Sequence, residues 1–181
     1  MPLRLPLRRD RSGLVSLEFA LVLPALLMLG FGCFEVGWLL QAEQKARAIA
    51  DDMAQLVAAT AETRGTADIP GDCSVGYLEI TSNANAAPML LQMGVASVTN
   101  YQGTGVTVDW NQACALSSTV SNPAGLATAS PSLVQNAGDS VIVVQVTLTY
   151  TPPINFVLTP KSWTLTAYGY ARPYNGAAVQ L

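Results

Sequence analysis

Hydrophobic positions divide the chain into three zones. Leu14 to Leu40 is an almost unbroken apolar run, interrupted by charged residues only at Glu18 and Glu35. From Gln41 to Arg64, apolar residues recur at intervals of three and four, which is the spacing of an amphipathic helix. Beyond this zone, short apolar segments are separated by glycine, proline and asparagine, a pattern typical of strands and turns. The pattern predicts one long helix followed by a β-rich domain.

The apolar run is long enough to cross a membrane. A helix over Leu14 to Leu40 would extend about 40 Å, compared with roughly 30 Å for the hydrocarbon core of a bilayer. The run is longer than the roughly 7–15 apolar residues of a signal peptide. An A-x-A pattern at Ala46 to Ala48 lies too far downstream to be an ordinary cleavage site. Residues 14–40 are therefore interpreted as a transmembrane helix, in which Pro24 is expected to introduce a bend.

The outer end of this helix contains a second acidic residue. Glu35 lies about 32 Å from Leu14 along a helix axis, which places it beyond the hydrocarbon core. We interpret Glu35 as a residue of the outer membrane interface, with Trp38 as an anchor at the level of the lipid headgroups. Residues 41–64 are then the aqueous continuation of the same helix.

The distribution of charge predicts the orientation of the chain. Residues 1–13 contain four arginines and one aspartate, a net charge of +3, and the rest of the chain has a net charge of −6. By the positive-inside rule, the N-terminus should stay in the cytoplasm and the acidic remainder should be exported. We therefore expect a single-pass protein of a bacterial inner membrane with a periplasmic C-terminal domain. An acidic exported domain also argues against binding to nucleic acid.

The C-terminal zone, residues 65–181, has the features of one small β-rich domain. Its predicted strands are Val75–Thr81, Val95–Tyr101, Val106–Trp110, Val141–Thr151 and Ser162–Ala171. The second and third should form a hairpin about Gly103 and Gly105. Ala87–Met93 is predicted to be a helical turn and Leu116–Ala137 a long surface loop. The expected fold class is α+β, with an antiparallel sheet of four or five strands packed on the amphipathic half of the helix.

Residues suited to catalysis are scarce. The chain has no histidine, which excludes the commonest general base, Ser-His-Asp triads and most zinc sites. It also lacks the glycine-rich phosphate loops and the calcium-loop spacing. We predict a protein without enzymatic activity, metal, cofactor or small-molecule substrate. An alternative interpretation places a sugar-binding surface at Asp109 and at Tyr168, Tyr170 and Tyr174, although a strand-end carboxylate and a sheet face are simpler explanations.

Glu18 is the most informative residue of the apolar run. A carboxylate within a membrane helix costs about 2.5–3.5 kcal/mol or more, so it indicates a function. A basic leader, Gly13, four residues and then Glu18 resemble the processing site of type IV prepilins and pseudopilins. The resemblance implies cleavage by a prepilin peptidase between Gly13 and Leu14. The new Leu14 amine could then neutralise Glu18 of the same or an adjoining subunit.

A narrower resemblance covers about half of the chain. Ser12 to Leu27 is similar to the N-terminus of TadE-type pseudopilins of the tight-adherence (Flp) pilus system. Val106 to Ala113 and Asp139 to Pro173 are similar to strand segments of TadE-like proteins. The TadF type has the same N-terminal arrangement, so both types stay open. The resemblance implies a minor pseudopilin in pilus assembly or initiation, because Flp-type major pilins are little more than the helix.

The resemblance also implies which partners the protein has. They are the membrane, the prepilin peptidase, other pilins and pseudopilins, and the inner-membrane Tad assembly platform. The principal alternative is an uncleaved membrane-anchored binding or adhesion module of the cell envelope. A histidine-free envelope hydrolase is a third.

Two cysteines fall in the domain that should be exported. Apart from Cys33 in the apolar run, the chain contains Cys73 and Cys114. An even number of cysteines in an oxidising compartment favours a disulfide. Our hypothesis is one Cys73–Cys114 bridge, and the alternative is two free, buried thiols.

Overall fold

The fold consists of one long helix and a four-stranded sheet. The computed structural model describes residues 12–60, 73–74, 90–114, 118–129, 133–152 and 161–174. The elements are α1 (Ser12–Thr60), β1 (Leu90–Tyr101), β2 (Gly105–Ala113), α2 (Pro123–Ala129), β3 (Ser140–Tyr150) and β4 (Trp163–Ala171). The strand order is β2-β1-β3-β4, and all neighbouring strands are antiparallel. The predicted α+β arrangement is therefore confirmed.

Helix α1 combines the two helical zones of the sequence in one continuous element. Its 49 residues include Pro24 and extend for about 73 Å. The first part exposes apolar side chains, whereas from Ala42 onward one face of the helix is buried against the sheet. The predicted last four residues of the helix, 61–64, lie outside the described residues.

An alanine ridge forms the sheet-facing side of α1. Ala42, Ala46, Ala50, Ala54 and Ala58 recur at every fourth position, and all are buried. Residues four apart lie on one face of a helix, so they form a continuous ridge. Because alanine has no side chain beyond Cβ, the helix backbone can come very close to the sheet.

Glycine on β4 completes this close approach. A Cβ atom at Gly169 would lie 2.0 Å from the carbonyl oxygen of Ala50 and 2.7 Å from the amide nitrogen of Asp51. The helix and the strand therefore touch backbone to backbone at this point. No side chain larger than hydrogen fits at position 169 without moving the helix or the strand.

Larger side chains beside the ridge build the main core. Ile49, Met53 and Val57 of α1 pack against the near face of the sheet, whose buried members are Leu91, Met93, Val95, Ile142, Val144, Val146, Leu148, Tyr150 and Ala167. Burial of each such aliphatic side chain contributes about 1.5–3 kcal/mol relative to exposure. This one face joins α1 to the sheet.

The far face of the sheet has its own, smaller core. Ala96, Val98, Val141 and Val143 pack there with Ala127 of α2. Since successive residues of a strand point to opposite faces, β3 is buried on both sides over its first half. The prediction that Leu116–Ala137 is entirely a loop is therefore wrong in part, because a short helix forms within it and covers this second apolar face.

The strand predictions were correct for the hairpin and too short at the start of β1. Tyr101 pairs with Gly105, and Gly103 and Gly105 have positive φ angles of 92° and 76°. The predicted helical turn at Ala87–Met93 is wrong from Leu90 onward, since those residues pair with β3. Leu91 and Met93 alternate with polar or small residues and bury the same face as Val95. The predicted strand Val75–Thr81 lies outside the described residues.

Candidate functional site

The residues of the predicted processing site lie at the start of α1. Gly13 and Leu14 are in its first turn, and Glu18 follows one turn later as an exposed residue. Leu14 and Glu18 are four residues apart, so they lie on the same face of the helix, about 6 Å apart along its axis. The helical geometry thus places the predicted mature N-terminus at Leu14 one helical turn from Glu18. Helix α1 continues through Pro24, and a bend there stays a prediction.

The N-terminal half of α1 has the surface of a membrane-spanning helix. Within the described residues, α1 is the one helix long and apolar enough to cross a membrane, over Ser16–Ala59. Only 6% of its most apolar window is buried within the protein. A core helix of a soluble protein would bury such a surface, so exposure of large apolar side chains all around the helix favours contact with lipid.

Glu35 is the first buried side chain along the described part of α1. Its side chain is 1% exposed, whereas Phe34 is 66% and Val36 is 44% exposed. Burial is the main cause of the raised pKa of Tyr150 on β3, and the charge of Glu35 is the second cause. From the sequence we interpreted Glu35 as a residue of the outer membrane interface, and that interpretation stays a prediction. The structure adds that the Glu35 side chain is buried within the protein.

Two further polar groups belong to this end of the sheet. The Tyr150 hydroxyl and the Trp163 indole nitrogen are buried and have no hydrogen-bond partner among the residues that the structure describes. The two residues face each other across β3 and β4. A buried donor without a partner costs about 1–3 kcal/mol. This end of the sheet therefore contains costly polar groups beside the apolar side chains of the core.

A disulfide connects the chain after α1 to the sheet. Cys73 and Cys114 are bonded across 41 residues, with a Cα–Cα distance of 5.8 Å. Both cysteines are part of the main core. The Cys114 amide also donates a hydrogen bond to the Met93 carbonyl oxygen at 2.9 Å, which places the end of β2 beside β1. The structure therefore favours the bridge over two free thiols.

Asp109 accepts hydrogen bonds from a row of hydroxyl groups on β1. The register of β1 and β2 shifts between Ser97 and Val98, and Asp109 lies at this irregularity. Ser97 Oγ, Thr99 Oγ1 and the Tyr101 hydroxyl donate to its carboxylate at 3.1, 2.6 and 2.8 Å. These bonds use both carboxylate oxygens to hold two strands together. They favour the structural interpretation of Asp109 over a sugar-binding surface.

Alkaline pH is expected to destabilise the sheet. The pKa of Tyr101 is raised mainly by its hydrogen bond to Asp109, and burial raises the pKa values of Tyr150 and Tyr170. A raised pKa favours the neutral phenol in the folded state. This contribution to stability is complete below about pH 10, the pKa of an unfolded tyrosine, and is lost as pH rises through the folded pKa.

The measurement is the urea midpoint of the detergent-solubilised protein between about pH 8 and about pH 11, monitored by near-UV circular dichroism. Tyr101→Phe should reduce the fall of the midpoint across this range, because it removes one of the titrating groups. Equal falls for Tyr101→Phe and the wild type would contradict a role for the Tyr101–Asp109 bond.

The alanine ridge and Gly169 are the structural features that sequence reasoning missed. The predicted apolar face of the amphipathic zone contains Ala42 and Ala46 but omits Ala50, Ala54 and Ala58, which are also buried against the sheet. A sequence signal existed, since alanine occupies every fourth position from Ala42 to Ala58. Its partner on the sheet, Gly169, had no comparable local signal. In the part of the chain described, no three histidine, cysteine or acidic side chains are grouped as metal ligands.

The fold and the helix together define a class of protein: an α+β domain carried by a helix with an apolar, candidate membrane-spanning half. Residues 13–55 match the family of TadE-like proteins. The match begins at Gly13 and extends through the apolar half of α1 into the part that packs on the sheet. This segment is TadE-like, which confirms the resemblance seen in the N-terminal part of the sequence. Proteins of the TadE-like family are pilus components, and the family is not one of enzymes. Neither a curated protein nor a solved structure matches the chain.

Proposed function

We propose that the protein is a minor pseudopilin of a Tad (Flp) type pilus, required for assembly or initiation of the fibre. The observation that carries the proposal is the placement of Gly13, Leu14 and Glu18 in one exposed apolar helix at the start of the TadE-like match. A helix with this processing pattern suits a subunit that leaves the bilayer by packing against other helices. The partners would be other pilins and pseudopilins and the inner-membrane assembly platform.

Maturation by a prepilin peptidase is the first step of this function. Hydrolysis of the Gly13–Leu14 peptide bond would release the basic leader and leave an ammonium group on Leu14. That cation would sit at the N-terminus of a helix, where the helix dipole favours negative charge and disfavours a lone cation. A nearby carboxylate would offset the unfavourable interaction between this ammonium group and the helix dipole. Glu18 lies one helical turn away and can supply that carboxylate.

Glu18 is proposed to act by pairing with such an amine. An isolated carboxylate on an apolar helix is costly in the bilayer, and a pair with an ammonium group removes much of that cost. Pairing with the amine of an adjoining subunit would fix the axial register between two helices. The exposure of Glu18 in a single chain is compatible with a partner from another subunit.

The rest of the architecture supports a subunit rather than a catalyst. The alanine ridge and Gly169 hold the sheet directly on α1, so the exported domain moves with the helix that assembles. Residues 1–13 would be the cytoplasmic leader, 14–40 the transmembrane part and 65–181 the periplasmic domain. In the pilus, the domain would be extracellular.

The test of this function is N-terminal sequencing of the membrane-purified protein from cells with and without a prepilin peptidase. The mature chain should begin at Leu14 in the competent cells and retain its leader in the deficient ones. Gly13→Leu is the matched variant, and it should block processing without changing membrane insertion. A chain that begins at Met1 or Pro2 in competent cells would overturn the proposal and favour the uncleaved membrane-anchored binding module.

Replacement of Glu18 by alanine is expected to abolish pilus assembly. The substitution removes the proposed partner of the mature N-terminus but makes the helix more apolar, so membrane insertion should persist. The measurement is the number of pili per cell together with the amount of the variant in the membrane fraction. Ser16→Ala, a neighbouring polar-to-alanine change, should leave assembly unaffected. Normal piliation in Glu18→Ala cells would exclude Glu18 from the mechanism.

A further inference from the structure

The contacts between α1 and the sheet show at which position along the helix axis the sheet begins. Ala50 touches Gly169, and Glu35 is buried farther toward the N-terminus of the same helix. The charge of Glu35 also contributes to the raised pKa of Tyr150, which pairs with Trp163. Glu35 precedes Ala50 by fifteen residues, or about 22 Å of helix. Trp163 precedes Gly169 by six residues, or about 20 Å of strand. The two distances agree, so α1 runs nearly along the strands and Glu35 is level with the end of the sheet.

The face of α1 opposite the sheet shows how far the exposed apolar surface of the helix continues toward its C-terminus. Val36 and Leu40 are 44% and 51% exposed, and Gln41 is the first exposed polar residue after them. Leu40 lies about 7.5 Å farther along the axis than Glu35. The apolar surface that needs a membrane environment therefore extends past the level at which the sheet begins. A domain held clear of the bilayer would leave Val36 and Leu40 in water.

The end of the sheet at this level has a distinct chemical character. We define the lower rim as the exposed residues Thr151, Lys161 and Ser162, which adjoin Tyr150 and Trp163. Among the described residues, the rim presents two hydroxyl groups and an ammonium group. Glu35 on α1 is buried within the protein.

This character matches the headgroup layer of a phospholipid bilayer. Phosphate and ester oxygens are hydrogen-bond acceptors, and the surface attracts lysine. Tryptophan and tyrosine are enriched at the same depth. By contrast, the exposed aspartates of α1, Asp51 and Asp52, lie at least about 24 Å farther from the membrane than Glu35.

We propose that the lower rim is immersed in the phospholipid headgroup layer of the leaflet from which α1 emerges. The domain then rests on the membrane, and α1 is not a free stalk between bilayer and sheet. Burial of Glu35 follows from this arrangement, because the sheet shields the carboxylate at the depth where lipid would otherwise surround it. The inference rests on the membrane insertion in the proposed function, and it is independent of cleavage, of Glu18 and of pilus assembly.

Tryptophan fluorescence tests the proposal in the full chain reconstituted in phosphatidylcholine–phosphatidylglycerol vesicles. One variant, Trp38→Phe with Trp110→Phe, keeps Trp163 near the rim. Its matched control, Trp38→Phe with Trp163→Phe, keeps Trp110. Trp110 pairs with Ser97, seven residues along β1 from Leu90, or about 23 Å above the rim. A spin label on the lipid headgroup should quench Trp163 several-fold more than Trp110, and equal quenching would overturn the proposal.

A separate variant reports on membrane insertion. Leu27→Trp, with all three native tryptophans replaced by phenylalanine, should be quenched strongly by a label on the lipid acyl chain. Quenching in this variant without preferential quenching of Trp163 would overturn the immersed rim and leave insertion intact. Absence of quenching in Leu27→Trp would overturn insertion, and the immersed rim with it.

Electron paramagnetic resonance gives a second measurement that preserves the tryptophans. Spin labels are attached to Lys161→Cys at the rim or to Gln102→Cys at the exposed hairpin turn, each in a Cys33→Ala background. A water-soluble nickel chelate should relax the rim label several-fold less than the hairpin label in vesicles. Similar accessibility of the two labels would contradict immersion of the rim.

Discussion

Gly169→Ala is expected to push α1 off the sheet and to destabilise the domain strongly. The added methyl group would lie 2.0 Å from the Ala50 carbonyl oxygen, and its three nearest contacts are all backbone atoms. Backbone atoms cannot rotate away as a flexible side chain can, so the helix or the strand must move. Overpacking of this kind costs about 1–3 kcal/mol or more. We expect a loss at or above the upper end of that range.

Urea unfolding of the detergent-solubilised protein, monitored by near-UV circular dichroism, measures this effect. Gly37→Ala is the matched control, because a Cβ atom at Gly37 meets nothing within 4 Å. That variant should be neutral or stabilising, since alanine favours a helix over glycine by about 1 kcal/mol. A Gly169→Ala protein with the stability of the wild type would show that the helix and β4 are not in close contact.

The second large effect is expected from removal of the disulfide. Cys73→Ala with Cys114→Ala should lower the free energy of unfolding by about 4 kcal/mol, from the chain entropy of a loop of this length. Both sulfur atoms lie in the main core, so the loss of packing adds to the entropic effect. The bridge holds the chain that follows α1 against the end of β2, and without it this connection depends on packing alone.

The measurement combines urea unfolding with thiol labelling of periplasmically exported protein. Cys33→Ala is the control, since Cys33 is free and exposed on the apolar half of α1. The wild-type protein should label at one thiol before reduction and at three after it. Labelling of Cys73 and Cys114 without reduction would contradict the bridge, as would an unchanged midpoint in the double variant.

Much of the fold could be predicted because its signals are local. The apolar run, the change to three- and four-residue spacing after Leu40, and the alternation in β3 each reflect the period of one element. The errors arose where a short segment had no clear period. Residues Leu90 to Met93 form part of β1 because they pair with β3. Helix α2 packs on the far face of the sheet and buries apolar side chains there.

The candidate site was also predictable only in part from the sequence. The spacing of Gly13 and Glu18 is visible in the sequence, because both residues belong to one helix and their separation along it follows from the helical rise. The burial of Glu35 could not be predicted, because the side chains that cover one face of a helix come from other parts of the fold.

The sequence by itself determined the helix, its apolar half and the approximate positions of the four described strands. These properties depend on neighbouring residues and on the geometry of a single helix or strand. Only the tertiary structure decided that Gly169 meets Ala50, that Cys73 meets Cys114, and that Glu35 is buried. Such contacts join residues far apart in the chain, and they depend on how closely two surfaces can pack.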